Sequence, residues 1–299
     1  MGAVLVLGAL HLDVVVDAPR LPRLDETLFG SGVAYRFGGK GGNQALAARR
    51  MGARVAMAGR VGCDRAARQV TDVLDVHGID RSRVAEVDGD TGMSVAIVDH
   101  AGDYGAVVVS GVNAGIDGAE ALPADSFDIC LLQNEIPEAA NLALAATLPE
   151  TTTLILNAAP ARPLPDPLRQ RIDILVTNRL EATDMSGEGD PAVAIAALSR
   201  RCRQAAIVTL GAEGALVQTP GNQPVHLPTP TITAISSHGA GDMFVGALAA
   251  ELAEGRDLEA AIRFAQAAAA RHVATPPDQR EDVDREKVAR FLEAGTPEV

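Results

Sequence analysis

The sequence predicts an α/β fold centred on a mainly parallel β-sheet, and three observations carry that prediction. Short runs rich in Val, Ile and Leu alternate with longer stretches that repeat Ala and Leu at helical spacing, the pattern of parallel strands joined by crossover helices. Of the 299 residues 47% are hydrophobic and 29 are Gly, enough apolar material to cover both faces of a sheet. No long linker, low-complexity tract or internal repeat divides the chain, so one large core with a small appendage is expected.

Taken in order, residues 3–16 read as the first strand, because the run is apolar and ends near a carboxylate, Asp13. Further strands are expected at 54–61, 129–132, 153–156, 174–177 and 205–210. Helices are expected between them at 43–51, 65–77, 137–148 and 192–202. Residues 27–37 and 91–110 break the rhythm: they look extended, are joined by Gly and Asp turns, and have no helix to cover them, so a small separate sheet or lid is expected there. Beyond Asp242 the chain turns helical, at 243–252, 258–272 and 285–293.

Composition excludes several function classes. A formal charge of −13, with no basic run, disfavours nucleic acid and anionic membranes, which draw on clustered Lys and Arg. A small phosphorylated ligand stays compatible, since a few N–H groups and one Lys hold it locally. Cys63, Cys130 and Cys202 show no paired spacing, so neither a disulfide framework nor a zinc site is expected; buried thiols in a reducing cytosol are the simpler reading. The apolar N-terminus lacks a basic region before Arg20, and no apolar run is long enough to span a bilayer, which together predict a cytoplasmic protein.

Two segments carry chemistry. Ser237-His238-Gly239-Ala240-Gly241-Asp242 opens a helical run, and small residues at a helix start let N–H groups surround an anion. Asp242 would repel phosphate, so it makes sense either as a base facing a hydroxyl beside the phosphate or simply as a helix cap. Gly38-Gly39-Lys40-Gly41-Gly42-Asn43 permits close backbone approach, while Lys40 and Asn43 offer donors to hydroxyls; alone, the segment is equally a turn with a solvated Lys. It is not a P-loop, whose GxxxxGK(S/T) spacing is absent.

Together these segments resemble the two signatures of the PfkB, or ribokinase-like, carbohydrate kinases, and the resemblance covers nearly the whole chain. Gly8 to Asp13 is similar to the end of that family's first strand, and Gly38 to Asn43 to its sugar-binding glycine motif. Leu132-Gln133-Asn134-Glu135-Ile136-Pro137 resembles the segment with a sugar-contacting Glu, and Asn157-Ala158-Ala159-Pro160-Ala161-Arg162 a family stretch of similar composition. Asn178-Arg179-Leu180-Glu181 resembles an NxxE element linked to magnesium and phosphate, and Thr209 to Gly214 a nucleotide-site turn.

The resemblance implies a three-layer α/β/α core spanning residues 1–299 with a small β lid made of 14–37 and 91–111. It implies ATP and Mg²⁺ as cofactors, Asp242 as the base, and Gly239, Ala240 and Gly241 as the anion hole. Sugar contacts would come from His11, Asp13, Gly38, Gly39, Lys40, Asn43, Glu135 and Asp242. Asn178, Thr209, Gly211, Gly214, His238, Gly239, Gly241 and Gln266 would serve the nucleotide, and Glu181 the metal. It further implies a homodimer formed through lid strands.

Three departures from the family pattern matter. Ser236 stands where an Asp usually helps to hold a monovalent cation, and Thr275-Pro276-Pro277-Asp278-Gln279-Arg280 lacks the Gly-Ala pattern of that cation loop, which counts against potassium activation. His238 beside the anion hole could replace part of that charge, or pack against adenine. His11 replaces a common Asn near the sugar, which leaves the acceptor open between ribose, a similar sugar and a nucleoside. Tyr35, Phe29 and Phe37 keep the nucleoside alternative, since a base wants an aromatic platform. A non-catalytic sugar or nucleotide sensor is the other alternative; a dehydrogenase is disfavoured because no GxGxxG follows the first strand.

Overall fold

The computed structural model describes residues 2–99, 104–121 and 127–293. Thirteen strands are present among them: β1 (Ala3–Leu7), β2 (His11–Asp17), β3 (Gly32–Gly38), β4 (Arg54–Gly62), β5 (Asp80–Val87), β6 (Met93–Val98), β7 (Tyr104–Val109), β8 (Ile129–Gln133), β9 (Thr153–Asn157), β10 (Ile174–Asn178), β11 (Ala205–Thr209), β12 (Ala215–Gln218) and β13 (Val225–Leu227). The helices are α1 (Lys40–Arg50), α2 (Arg65–Val76), α3 (Glu138–Thr147), α4 (Asp166–Arg169), α5 (Arg179–Ser186), α6 (Pro191–Ser199), α7 (Ala240–Ala253), α8 (Leu258–Val273) and α9 (Arg285–Glu293).

Nine strands form one sheet in the order β13-β12-β11-β10-β9-β8-β1-β4-β5, all running parallel except β12, which pairs antiparallel with both β11 and β13. Side-chain alternation sends Val4 and Val6 of β1 to one face and Leu5 and Leu7 to the other, and each face is sealed by its own helices. The first face packs on α1, α2, α7 and α8 through Ala45, Val70, Phe244 and Ile262. The second packs on α3 to α6 through Leu144, Leu168, Ala182 and Ile195. The core is therefore a three-layer α/β/α sandwich.

The expected strand at 3–16 is two strands in two sheets. Between them Asn113, wholly buried, accepts from the Leu10 N–H and donates to the Leu10 carbonyl, satisfying the backbone where it leaves the large sheet. β2 then joins β3, β6 and β7 in a four-stranded sheet of order β3-β2-β6-β7. Of the extended stretch 27–37 only 32–37 is strand, as part of β3, and of the stretch 91–110, residues 100–103 lie outside the described residues. The edge strand β5 and the short β12 and β13 were not expected from the sequence. β5 is charged and carries little apolar alternation, and β12 and β13 are shorter than a pattern can register.

Candidate active site

The chain leaves β1 toward β4 on one side of the sheet and returns through β8 to β11 on the other, so the strand order reverses between β1 and β8. In open α/β sheets, ligands bind at the carboxyl ends of strands beside such a reversal. Those ends here carry Gln133, Glu135, Asn157, Asn178 and Thr209.

Two helix starts meet over them. α1 and α7 cross at Gly246, where an added Cβ would lie 2.5 Å from Ala47 Cβ and 2.6 Å from the Gln44 carbonyl. Asp242 lies four residues earlier on the same face of α7, so this close crossing delivers it to Asn43 and Gln44. Its Oδ1 accepts from Gln44 Nε2 at 3.0 Å, and its Oδ2 from Asn43 Nδ2 at 3.3 Å. Gln44 is wholly buried and its amide also donates to Asn157, while its own oxygen accepts from Gln133 Nε2 at 2.8 Å. A chain of amides thus fixes the carboxylate from behind. Burial raises the Asp242 pKa; the Lys40 charge and the two amide donors oppose that rise.

Most of the glycines before α1 serve the chain's own backbone. Gly39 adopts φ 82°, and a Cβ there would lie 2.5 Å from the Ala9 carbonyl. Gly41 meets Gly8 in the same way, and a Cβ on Gly38 would strike the Asp13 carboxylate. This packing places Lys40 at the first turn of α1, where its N–H donates to Glu135 Oε2 at 2.7 Å and its Nζ lies 3.9 Å from Glu135 Oε1. Asp13 Oδ1 accepts from the Ser94 hydroxyl at 2.6 Å. His11 is buried beside it, with Nδ1 4.0 Å from Asp13 Oδ1 and Nε2 lacking a partner among the described residues. On β3 the register opposite Asp13 is Arg36.

At the carboxyl end of β10, Asn178 and Glu181 form a capping box for α5: the Glu181 N–H donates to Asn178 Oδ1 and the Asn178 N–H to Glu181 Oε2, both at 2.8 Å. Burial, Asp242 and Asp184 raise the Glu181 pKa, against the pull of Asn178 and Lys40. A turn from Thr209 to Gly214 closes through Leu210 N–H to the Gly214 carbonyl at 2.8 Å, with Gly211 and Gly214 both at positive φ. Gln266 is buried and its amide donates to the Leu227 carbonyl at 2.7 Å, a contact that ties α8 to β13.

The first turn of α7 follows Gly239, which caps it in the left-handed region. The first N–H groups of a helix have no intrahelical acceptor. That of Ala240 donates to the Ser237 carbonyl at 3.2 Å, and a Cβ built on Gly241 meets nothing within 4 Å among the described residues beyond its own helix turn, so Gly241 faces open space. Beneath the turn lies His272, its Nε2 3.1 Å from the His238 carbonyl. Burial, with Arg280 nearby, lowers its pKa to about 4, so at neutral pH the ring donates this bond as an uncharged imidazole. His238 itself is exposed at the mouth.

Sequence reasoning thus named Asp242, Lys40, Asn43, Glu135 and Asp13. It missed Gln44, Gln133, Ser94 and Asn113. Gln44 left one signal, a polar residue set within the Ala stripe of α1. Cys63 also departs from expectation: it is exposed, while Cys130 and Cys202 are buried and their thiols are pushed up to about 12. Among the described residues no group of three or more His, Cys, Asp or Glu side chains could hold a metal by itself, and no helix is long and apolar enough to cross a membrane.

Residues 1–281 match the pfkB family carbohydrate kinase family. The chain is 34% identical over 274 residues to ribokinase of Bacillus subtilis, covering 90% of this chain and 92% of the relative. A crystal structure of ribokinase from Thermotoga maritima superposes with a TM-score of 0.88 at 28% identity, covering 98% of this chain and all of the other. The structure of Arabidopsis thaliana ribokinase complexed with ribose and ATP gives 0.86 at 27% identity, with 98% of each chain covered.

Proposed function

Because this chain belongs to the pfkB family of carbohydrate kinases, we propose that it transfers the γ-phosphoryl group of ATP to a primary hydroxyl of ribose or a similar pentose, with Asp242 as the base. The observation that carries the reading is the Asp242 carboxylate, held by Gln44 and Asn43 at the head of α7, within the electrostatic reach of Lys40.

The sugar lies between Asp13 and Glu135, with Lys40 and Asn43 donating to its hydroxyls. Asp242 takes the hydroxyl proton as the oxygen attacks the γ-phosphorus. The new P–O bond forms in line with the one that breaks, and ADP leaves with that electron pair. The amides of Gly239 and Gly241 and the α7 dipole receive the charge that develops. A raised pKa suits the base, since a carboxylate that holds its proton more firmly is the stronger acceptor. Thr209, Gly211, Gly214 and His238 border the nucleotide; Asn178 and Gln266 support that wall through their backbone contacts.

Mg²⁺ fits this donor set. Hard cations of that size take one or two carboxylates plus phosphate oxygens and water. Glu181 has one carboxylate oxygen not committed to the capping box, and the nearby Asp242 and Asp184 make a divalent charge welcome. Bound there, Mg²⁺ would neutralise phosphate charge.

The small sheet acts as the lid. Its outer face carries Val33, Tyr35, Val107 and Val109, all more than half exposed, and we assign that face to a second copy of this chain. The free cysteines fit a reducing cytoplasm.

A nucleoside acceptor is less well served. Tyr35 pairs with Val14 and so points away from the Asp13 face, and Phe37 packs on Gly42 and the core. The deciding experiment incubates the protein with ATP, Mg²⁺ and a panel of pentoses, hexoses and nucleosides, and identifies the product by ³¹P NMR. A pentose 5-phosphate is expected. ADP binding with no phosphorylated product from any acceptor would favour the sensor instead.

A further inference from the structure

Arg280 is a buried cation with no matching anion among the described residues. The residue is 7% exposed, and no carboxylate of the described residues lies within ion-pair distance of it. Its burial lowers its pKa, and the charged side chain that bears on it is another cation, Arg36. Its donors go to main-chain carbonyls: Nη2 to Ser236 at 2.7 Å, Nη1 to His238 at 2.9 Å and Nε to Thr275 at 3.2 Å. Burying an unpaired charge is costly, so an arrangement of this kind needs a compensating partner.

The partner is indicated by what the carbonyls belong to. Ser236 and His238 lead directly into Gly239 and the first turn of α7, where the transferring phosphate would sit. A trans peptide holds its C=O and N–H antiparallel. With the His238 carbonyl fixed by Arg280 on one side and His272 on the other, the Gly239 N–H must point the opposite way, out of the Arg280–His272 bed. The guanidinium thus both contributes positive charge and aims an amide.

The same contacts decide the fit of a monovalent cation. Such an ion takes a ring of main-chain carbonyls, and here those of Ser236, His238 and Thr275 are already engaged by the guanidinium. Ser236 adds only a neutral hydroxyl, whose oxygen accepts from the His238 N–H at 3.4 Å. An added cation would also sit against the Arg280 charge. The residues do not fit that group.

We propose that Arg280 is the built-in cation of the anion hole, orienting the Gly239 amide and countering phosphate charge, so that this kinase works without potassium. Resting on the sugar-kinase reading above, this makes Arg280 a positioning residue. It moves the compensating charge from His238, which is exposed, to a buried arginine.

The test compares wild type, Arg280→Lys and Arg280→Gln in tetramethylammonium chloride and in potassium chloride of equal ionic strength. Both sugar phosphorylation and ADP affinity by calorimetry are measured. Wild type should differ by less than about twofold between the two salts, whereas Arg280→Gln should lose about 10²-fold in kcat in tetramethylammonium, the scale of one lost anion-hole donor. Added guanidinium or potassium ion should return at least about tenfold of that loss, a recovery that a purely structural arginine would not show. Arg280→Lys, which keeps the charge, should stay closer to wild type than Arg280→Gln. Wild type that needs potassium for turnover or for ADP binding overturns the proposal, as does an Arg280→Gln variant that matches wild type or recovers with neither ion. Potassium-independent ADP binding with no sugar phosphorylated would sink the kinase reading and support this one.

Discussion

Gly241 stands in the first turn of α7 outside the positive-φ region, and an added methyl would touch nothing among the described residues beyond its own helix turn. Alanine there should therefore fold as well or better, because it loses less backbone entropy in a helix, with a gain of up to about 1 kcal/mol. The same methyl would intrude on the space assigned to the phosphate. Gly241→Ala should keep or raise the midpoint of denaturant unfolding while kcat/KM for ATP falls at least about tenfold. Unchanged activity would remove Gly241 from the anion hole. Its neighbours show what a sequence reveals at this scale. Asp242 and Lys40 lie in short motifs whose residue types already suggest chemistry. Gln44, Gln133 and Arg280 do their work on partners 198, 89 and up to 44 residues away, so their neighbours in sequence do not reveal that work; Gln44 left only its polarity within an Ala stripe. Arg280 was noticed only as part of a stretch that departs from the family pattern.

The elements divide in the same way. Crossover helices and buried parallel strands were legible because both have strong periods, and α1, α2, α7 and α8 fall close to where the sequence puts them. The break at Gly8 to Leu10 was not, since the run stays apolar while the strand changes sheet; the backbone of Leu10 is satisfied there by Asn113, more than 100 residues on. The small sheet has two unlike faces. Asp13, Arg36 and Ser94 share the one turned to the site, while Tyr35 at 62%, Val33 at 59% and Val107 at 67% exposure sit on the other. An apolar sheet face of this kind is a self-association surface unless covered. Light scattering should find a dimer for wild type, and Tyr35→Glu with Val107→Glu should give a folded monomer, since both positions are solvent-facing in the single chain. A monomeric wild type would contradict the assignment.

For the whole molecule, the reversal of strand order between β1 and β8 and the crossing of α1 with α7 bring together residues from both halves of the chain. The net charge of −13 works against an anionic cosubstrate at long range. The site answers locally: the Lys40 charge acts on Asp242, and Arg280, with Arg36 near enough to act on it, holds the carbonyls that lead into α7. Burial raises the pKa of that carboxylate in the folded state, so the folded protein holds the proton more tightly than the unfolded chain. Stability from this group therefore falls as pH rises from the unfolded value through the raised folded one, and activity falls as pH drops through that raised value. Asp242→Asn should accordingly be at least as stable as wild type at neutral pH, which separates loss of the base from loss of the fold. The most direct measurement is sugar-dependent ADP release by wild type and Asp242→Asn at neutral pH in the same buffer. The account predicts that the variant keeps its affinity for ATP and loses about 10²–10⁴-fold in kcat, the worth of a general base; equal turnover by the two proteins would contradict it.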